Sequence, residues 1–157
     1  MNKPSGWDDT NVKTCENAEP PAGGHVFKIM GVKSENVNNI DRLTVKFDIA
    51  EKGIFENYYN NLSMASPFDK LIRKVFTAEH LEYWKGFTTS VERSNEGYVW
   101  EWDEKTLLFK FIGGNLRYAE YKNKSGEIVL IPTIEHCCSV QTVLDKKVKP
   151  LPVKKLR

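Results

Sequence analysis

Residues 66–95 read SPFDKLIRKVFTAEHLEYWKGFTTSVERSN, and this stretch decides the fold because it alone carries helical periodicity in a chain that otherwise alternates like strands. Ser66, Pro67 and Asp69 have the form of an N-cap, a first-turn proline and an acidic N3 residue. Phe68, Leu71, Ile72, Val75 and Phe76 then recur at three- and four-residue steps, which predicts a short amphipathic helix. Thr77 followed by Glu79 offers a second cap. Leu81, Trp84, Phe87 or Thr88, and Val91 line one side of a longer helical run that ends at Ser94, before Asn95 and Gly97. A helix with one apolar face needs a sheet to cover.

The flanking segments supply that sheet. Gly23 and Gly24 launch a strand over His25–Lys33, whose dense apolar content (Val26, Phe27, Ile29, Met30, Val32) predicts a strand buried on both faces or bent enough to use both. Leu43, Val45, Phe47 and Ile49 alternate with Arg42, Thr44, Lys46 and Asp48, so the first set should pack and the second stay wet. A third strand is expected near Tyr58–Met64. After the helical insert, Tyr98, Trp100 and Trp102 fall at alternate positions and are expected to cap one end of the core. Leu107–Ile112 and Asn115–Tyr121 form strand-like runs around a bend at Gly113-Gly114, and Ile128–Val140 gives a last strand interrupted at Pro132. Three strands, a helix and two strands is the order of a five-stranded Greek-key barrel of the oligonucleotide-binding (OB-fold) type, with its helix between strands 3 and 4. A two-layer sheet with a helix across one face would give much the same string.

Length and composition fit one domain. Residues 1–21 are expected to be a flexible N-terminal arm, residues 22–141 a single OB-like domain, and residues 142–157 a basic, extended C-terminal tail. The formal net charge is +2, yet the last twelve residues hold Lys146, Lys147, Lys149, Lys154, Lys155 and Arg157, leaving 17 basic against 21 acidic side chains in residues 1–145. So weak a basic excess lowers the expectation of tight duplex-DNA binding. The cysteines are expected to be reduced thiols. Neither a signal peptide nor a spanning segment is apparent, so a cytoplasmic location without membrane contact is expected.

His25, His80 and His136 are too far apart in sequence for a metal motif, and the glycine pairs lack the lysine and hydroxyl residue of a phosphate loop. No cofactor, metal or catalytic residue is therefore assigned. Single-strand binders stack bases on aromatic rings and hold phosphates with interleaved cations. The candidates for that chemistry are Arg42, Lys46, Tyr58, Tyr59, Lys110, Arg117, Tyr118, Tyr121, Lys122 and Lys124. The reading predicts one concave groove lined by Arg42, Lys46, Arg117 and the tyrosines.

The segments PAGGHVFKI (21–29), LTVKFDIAE (43–51), WKGFTTSVERSN (84–95) and Gly97-Tyr98 with WEWD (100–103) resemble a family of small uncharacterised proteins of phages and prophages of Gram-positive bacteria. The resemblance covers most of residues 20–139. It implies a non-catalytic single-stranded-DNA-binding accessory of replication or recombination, acting in the host cytoplasm beside replication or recombination proteins. It assigns no catalytic residue. The apolar run Leu107-Leu108-Phe109-Lys110-Phe111-Ile112 departs from the more charged hairpin of such relatives and favours packing or self-association there. The alternatives are a protein-interaction or structural module acting as a homo-oligomer, and an enzyme of nucleic-acid metabolism.

Overall fold

The computed structural model describes residues 1–10, 19–62 and 71–156. β1 (Gly23–Val37) and β2 (Ile40–Ile49) form a long hairpin. Its turn is Asn38-Asn39, both at positive φ (54° and 65°), a conformation that asparagine tolerates and that suits the twist of a two-residue hairpin. β3 (Ile72–Thr77) pairs with β2, and β4 (Phe111–Lys122) with β1. β5 (Ile128–Cys138) pairs with β4, giving the order β3-β2-β1-β4-β5 with every neighbour antiparallel. α1 (Leu81–Ser94) stands between β3 and β4, and a short α2 (Val140–Leu144) follows β5.

The chain is thus mainly β, but the expected OB-type barrel is not closed. β3 and β5 are the two edges of an open sheet, and among the described residues no backbone ladder joins them. The reason lies in what occupies the space between the edges. Lys74, paired with Val45 and so on the inner face of β3, reaches across and donates its ammonium to Ile134 O at 2.6 Å. A side chain takes the place of backbone pairing there, and Pro132 in β5 has no N–H to offer.

The helix expected over Ser66–Phe76 is overturned where it can be seen. Ile72–Thr77 is the extended strand β3, while residues 66–70 lie outside the described residues. The expected third strand near Tyr58–Met64 is a set of turns up to Leu62, with Ser63 and Met64 outside the described residues. What shapes those turns is Asp48, which was expected to be wet and is 1% exposed. Its carboxylate accepts from the backbone N–H of Ile49 (2.8 Å), Tyr59 (3.0 Å) and Asn60 (2.9 Å). Burial pushes its pKa up against those donors.

The long helical run does form. Thr77 is extended and makes no side-chain cap, so α1 is entered through a single 3-10 turn, Ala78–His80. Trp84, Phe87 and Val91 are buried, whereas Leu81 is exposed. Phe87 seats the helix: its ring stacks on Phe76 at 4.5 Å between centroids and meets Phe47 edge-on at 6.1 Å. Rings so packed are each worth about 0.5–1.5 kcal/mol beyond the area they bury. At the other end, Asn95 Nδ2 donates to Val91 O and to Phe111 O, both at 2.8 Å, and its Oδ1 accepts from Phe111 N at 3.0 Å. One asparagine thus ends the helix and fixes the first residue of β4.

β1 is not buried on both faces. Its burial alternates, and an extra residue, Met30, bulges between the pairs Ile29–Phe47 and Gly31–Lys46. The Gly113-Gly114 pair lies inside β4 next to a second irregularity, and a Cβ on Gly114 would stand 2.8 Å from Ile134 and 3.1 Å from Phe27, so packing demands glycine there.

The basic C-terminal stretch is docked on the sheet. Lys154 bridges to Ala119 in parallel, with Glu120 N donating to Lys154 O and Lys154 N to Tyr118 O, both at 2.9 Å. It occupies the flank of β4 that β1 leaves vacant beyond Leu116. In the N-terminal segment, Pro20 O and Pro21 O accept from Tyr118 and face His25 respectively.

Candidate nucleic-acid interface

Helix α1 covers the inner face of the sheet, and on the outer face the Tyr59–Asn60 turn covers Asp48 and Val148 covers Gly24, which leaves the outer face of β1, β2 and β3 open from Gly31 and Lys46 toward the hairpin. Strand register makes that face a grid of three rows: Gly31–Lys46–Arg73, Lys33–Thr44–Val75, and Glu35–Arg42–Thr77. Lys33 and Arg73 are exposed and Lys46 half-buried. Around Thr44 these residues enclose a shallow cavity of about 290 Å³ lined by Gly31, Val32, Lys33, Glu35, Thr44, Lys46 and Arg73. Gly31 has no Cβ, and the Lys46 stem lies where one would be in contact, 3.4 Å from its position. The Thr44 hydroxyl on the floor is buried and has no hydrogen-bond partner among the described residues. A donor on the floor and three cations on the walls, with Glu35 beside Lys33 at 3.8 Å, suit a singly bridged anion such as a phosphodiester.

The same face continues on β1 and β4. Lys28 pairs with Phe111, and its ammonium stands 5.8 Å from the Phe111 ring centroid and 5.5 Å from that of Phe109. Both rings are largely exposed. Phe109 takes a positive φ of 65° and is held by its N–H on Ile29 O at 2.7 Å, while Lys110 O accepts from Ile29 N at 2.9 Å. Two exposed aromatic faces with a lysine between them thus lie on rigid backbone. Gly31 lies three steps along β1 from Lys28, a span of about 10 Å. Lys110 adds a cation over the Tyr98 ring at 5.3 Å.

The residues singled out from sequence do not share one groove. Lys46 is central to the basic cavity, and Arg42 stands one row away with its Nε buried and without a partner among the described residues. Lys110 flanks the phenylalanines. Tyr59 is 4% exposed, and burial drives its phenol pKa far up. Tyr58 packs edge-on against Phe55 and Tyr59. Tyr118 donates to Pro20 O at 2.6 Å, its pKa pushed up to about 12 by burial. Arg117 is committed to the docked tail, with Nε on Pro152 O at 2.8 Å and a guanidinium nitrogen 3.5 Å from Glu135. Tyr121, Lys122 and Lys124 are exposed at the far end of the β4–β5 hairpin.

Sequence reasoning missed Lys28, Lys33, Thr44, Arg73, Phe109 and Phe111. Lys28 and Phe111 were legible as the outward members of alternating strands, whereas Arg73 was hidden by the helical reading of its segment.

Elsewhere, His25 is 4% exposed with Nδ1 2.9 Å from Glu51 Oε1 and Nε2 2.6 Å from Pro21 O. Burial opposes its protonation, but the bond to Glu51, the Pro21 carbonyl and the Glu51 charge together raise its pKa. The Cys137 thiol is pushed up to about 12 by burial and so is no nucleophile at neutral pH. Among the described residues no three His, Cys, Asp or Glu side chains converge as metal ligands, and no helix is long and apolar enough to cross a membrane. No protein-family model matches the chain, and no curated protein matches it at a significant level.

Proposed function

We propose that this chain is a non-catalytic single-stranded-DNA-binding protein whose contact surface is the outer face of β1–β3 together with Phe109, just before β4, and Phe111 at its start. The observation that carries the reading is the continuity of that face: the anion-shaped cavity under Lys33, Lys46 and Arg73 and the Phe109–Lys28–Phe111 cluster lie along one antiparallel sheet. Cations beside open aromatic faces bind any unpaired strand, because every base has a π-face and every nucleotide a phosphate. A duplex hides its bases and would use only the charge. The family resemblance of the sequence agrees with such a role as an accessory of phage or prophage replication or recombination. Fluorescence anisotropy tests it directly: a labelled oligothymidylate should bind tighter than the duplex of equal length, and Phe109→Ala with Phe111→Ala should abolish that preference. An intact chain that binds neither strand form at low salt refutes the proposal.

A second reading, self-association, is favoured by one observation. Ile128 and Leu130 are exposed together on one face of the β4–β5 hairpin, whose β5 is a sheet edge. Light scattering at increasing protein concentration would show a dimer lost on Ile128→Lys.

A further inference from the structure

We infer that the tryptophan cluster at the hairpin end of the sheet is a pocket for one unpaired, uncharged nucleobase, with Trp102 as its movable cover. The inference rests on the strand-binding reading for the identity of the ligand, and on its own geometry for the site. A cavity of about 350 Å³ is bounded by Trp84, Trp100 and Trp102 on one side and by the hairpin residues Arg42 and Leu43 on the other. Trp84 Nε1, Trp100 Nε1 and Arg42 Nε are all buried, and none has a hydrogen-bond partner among the described residues. Trp84 is 9% exposed, so its orphaned N–H belongs to a ring that is otherwise fully packed. Native structures rarely leave buried donors unpaired, and these three belong to residues that line one cavity, which points to an acceptor-bearing ligand that reaches them when the Trp102 ring moves aside.

Charge selects which ligand. Besides Arg42 the cavity is flanked by Glu35, Asp41 and Glu104, an acidic excess that repels phosphate and carboxylate but admits a neutral ring with carbonyl and ring-nitrogen acceptors.

Trp102 is the element able to move. It is 73% exposed, adopts φ 65°, and covers Trp84 at 6.2 Å and Trp100 at 5.5 Å between ring centroids. A bulky residue at positive φ is strained, and such strain collects at ligand sites. Trp100 by contrast is pinned at its backbone, whose N–H donates to Glu92 Oε2 at 3.0 Å. A base that displaces the Trp102 ring inherits its two aromatic neighbours and gains their N–H donors.

The test follows the indole N–H resonances of the intact chain by NMR during titration with thymidine and with deoxyadenosine. The expected result is a saturable downfield shift of the Trp84 and Trp100 signals, with Trp7 unmoved. Trp84→Phe, which keeps a ring and removes the donor, should weaken nucleoside binding about tenfold, and Lys122→Gln, at the far end of the β4–β5 hairpin, should leave it unchanged. Equal shifts with deoxyribose 5-phosphate, or nucleoside-induced shifts confined to Phe109, Phe111 and their neighbours, would overturn the pocket. An oligothymidylate that binds without moving either indole would refute the pocket while leaving strand binding intact. Nucleosides that move both indoles while an oligonucleotide gains no affinity over them would do the reverse, and no binding of either would remove both.

Discussion

Neutralising Lys33 and Arg73 separates a built interface from diffuse attraction, and its size can be worked out from the grid. The outer face offers Lys28, Lys33, Lys46 and Arg73 to a strand. If each meets one phosphate, the slope of log affinity against log salt for single-stranded DNA should be about −2.8, at roughly −0.7 per neutralised phosphate. Lys33→Gln with Arg73→Gln removes two contacts and should bring the slope to about −1.4. Between 50 and 200 mM salt the intact chain should then lose roughly 50-fold in affinity, and the double variant roughly sevenfold. Both side chains are exposed, so stability should change by less than about 0.5 kcal/mol. Anisotropy of a labelled oligothymidylate over that salt range reads the slope, and Lys122→Gln with Lys124→Gln is the matched control at the far end of the hairpin. A slope that falls equally for both pairs, or for neither, refutes the argument that this face is the site.

Other consequences of the structure can be checked independently. Asp48→Ala leaves three backbone N–H groups without their acceptor and should cost about 3–5 kcal/mol in urea unfolding; a loss under about 1 kcal/mol would mean that the Tyr58–Leu62 turns do not depend on it. The His25–Glu51 pair sets a pH window. The raised His25 pKa contributes stability below 6.5 that is lost as pH rises through the folded value, and the lowered Glu51 pKa contributes stability above 4.5 that is lost as pH falls through its own. The stability gap between the intact chain and Glu51→Gln should therefore be widest from about pH 4.5 to 6.5 and narrow on either side; a gap flat from pH 4 to 9 would contradict the pairing. Amide exchange should find the Glu120 amide protected by its bond to Lys154 O and the Lys154 amide by its bond to Tyr118 O, and exchange at the unprotected rate would show that the C-terminal stretch is not docked.

How much of this could be read from the sequence depends on whether a residue obeys only local rules. Leu43, Val45, Phe47 and Ile49 do, and so do Trp84, Phe87 and Val91; all are buried. Ile72–Thr77 was misread because Ile72 and Phe76 satisfy both a helical and an alternating period, and the position between them that should be apolar in a strand is Lys74. That lysine is explained only by the carbonyl of Ile134, sixty residues away. The β-branched Ile72, Val75 and Thr77 were the local signal for a strand. Barrel closure was illegible for the same reason, since it turns on what fills the space between β3 and β5. Asp48 looked wet by alternation because its partners, the N–H groups of Tyr59 and Asn60, carry no sequence signal at all.

The proposed binding face depends on a feature that alternation alone would get wrong. Phe27 and Ile29 point inward, so Lys28 points outward, and strict alternation would then turn Lys33 inward and Val32 outward. The extra residue at Met30 resets the phase. Val32 sits beside Val45 on the core face, and Lys33 comes out beside Thr44. One bulge therefore serves two ends: it keeps a valine in the core and puts two lysines of opposite parity on the same surface, about 10 Å or more apart along one strand. It also leaves Gly31 opposite Lys46, where the missing side chain gives the lysine stem room to lie flat and wall the cavity. A bulge costs local pairing, and one retained in the middle of a long hairpin has to repay that cost. Here the repayment is visible in both the packing and the charge pattern, which supports the outer face of β1–β3, rather than the hairpin lysines or the basic terminus, as the proposed contact surface.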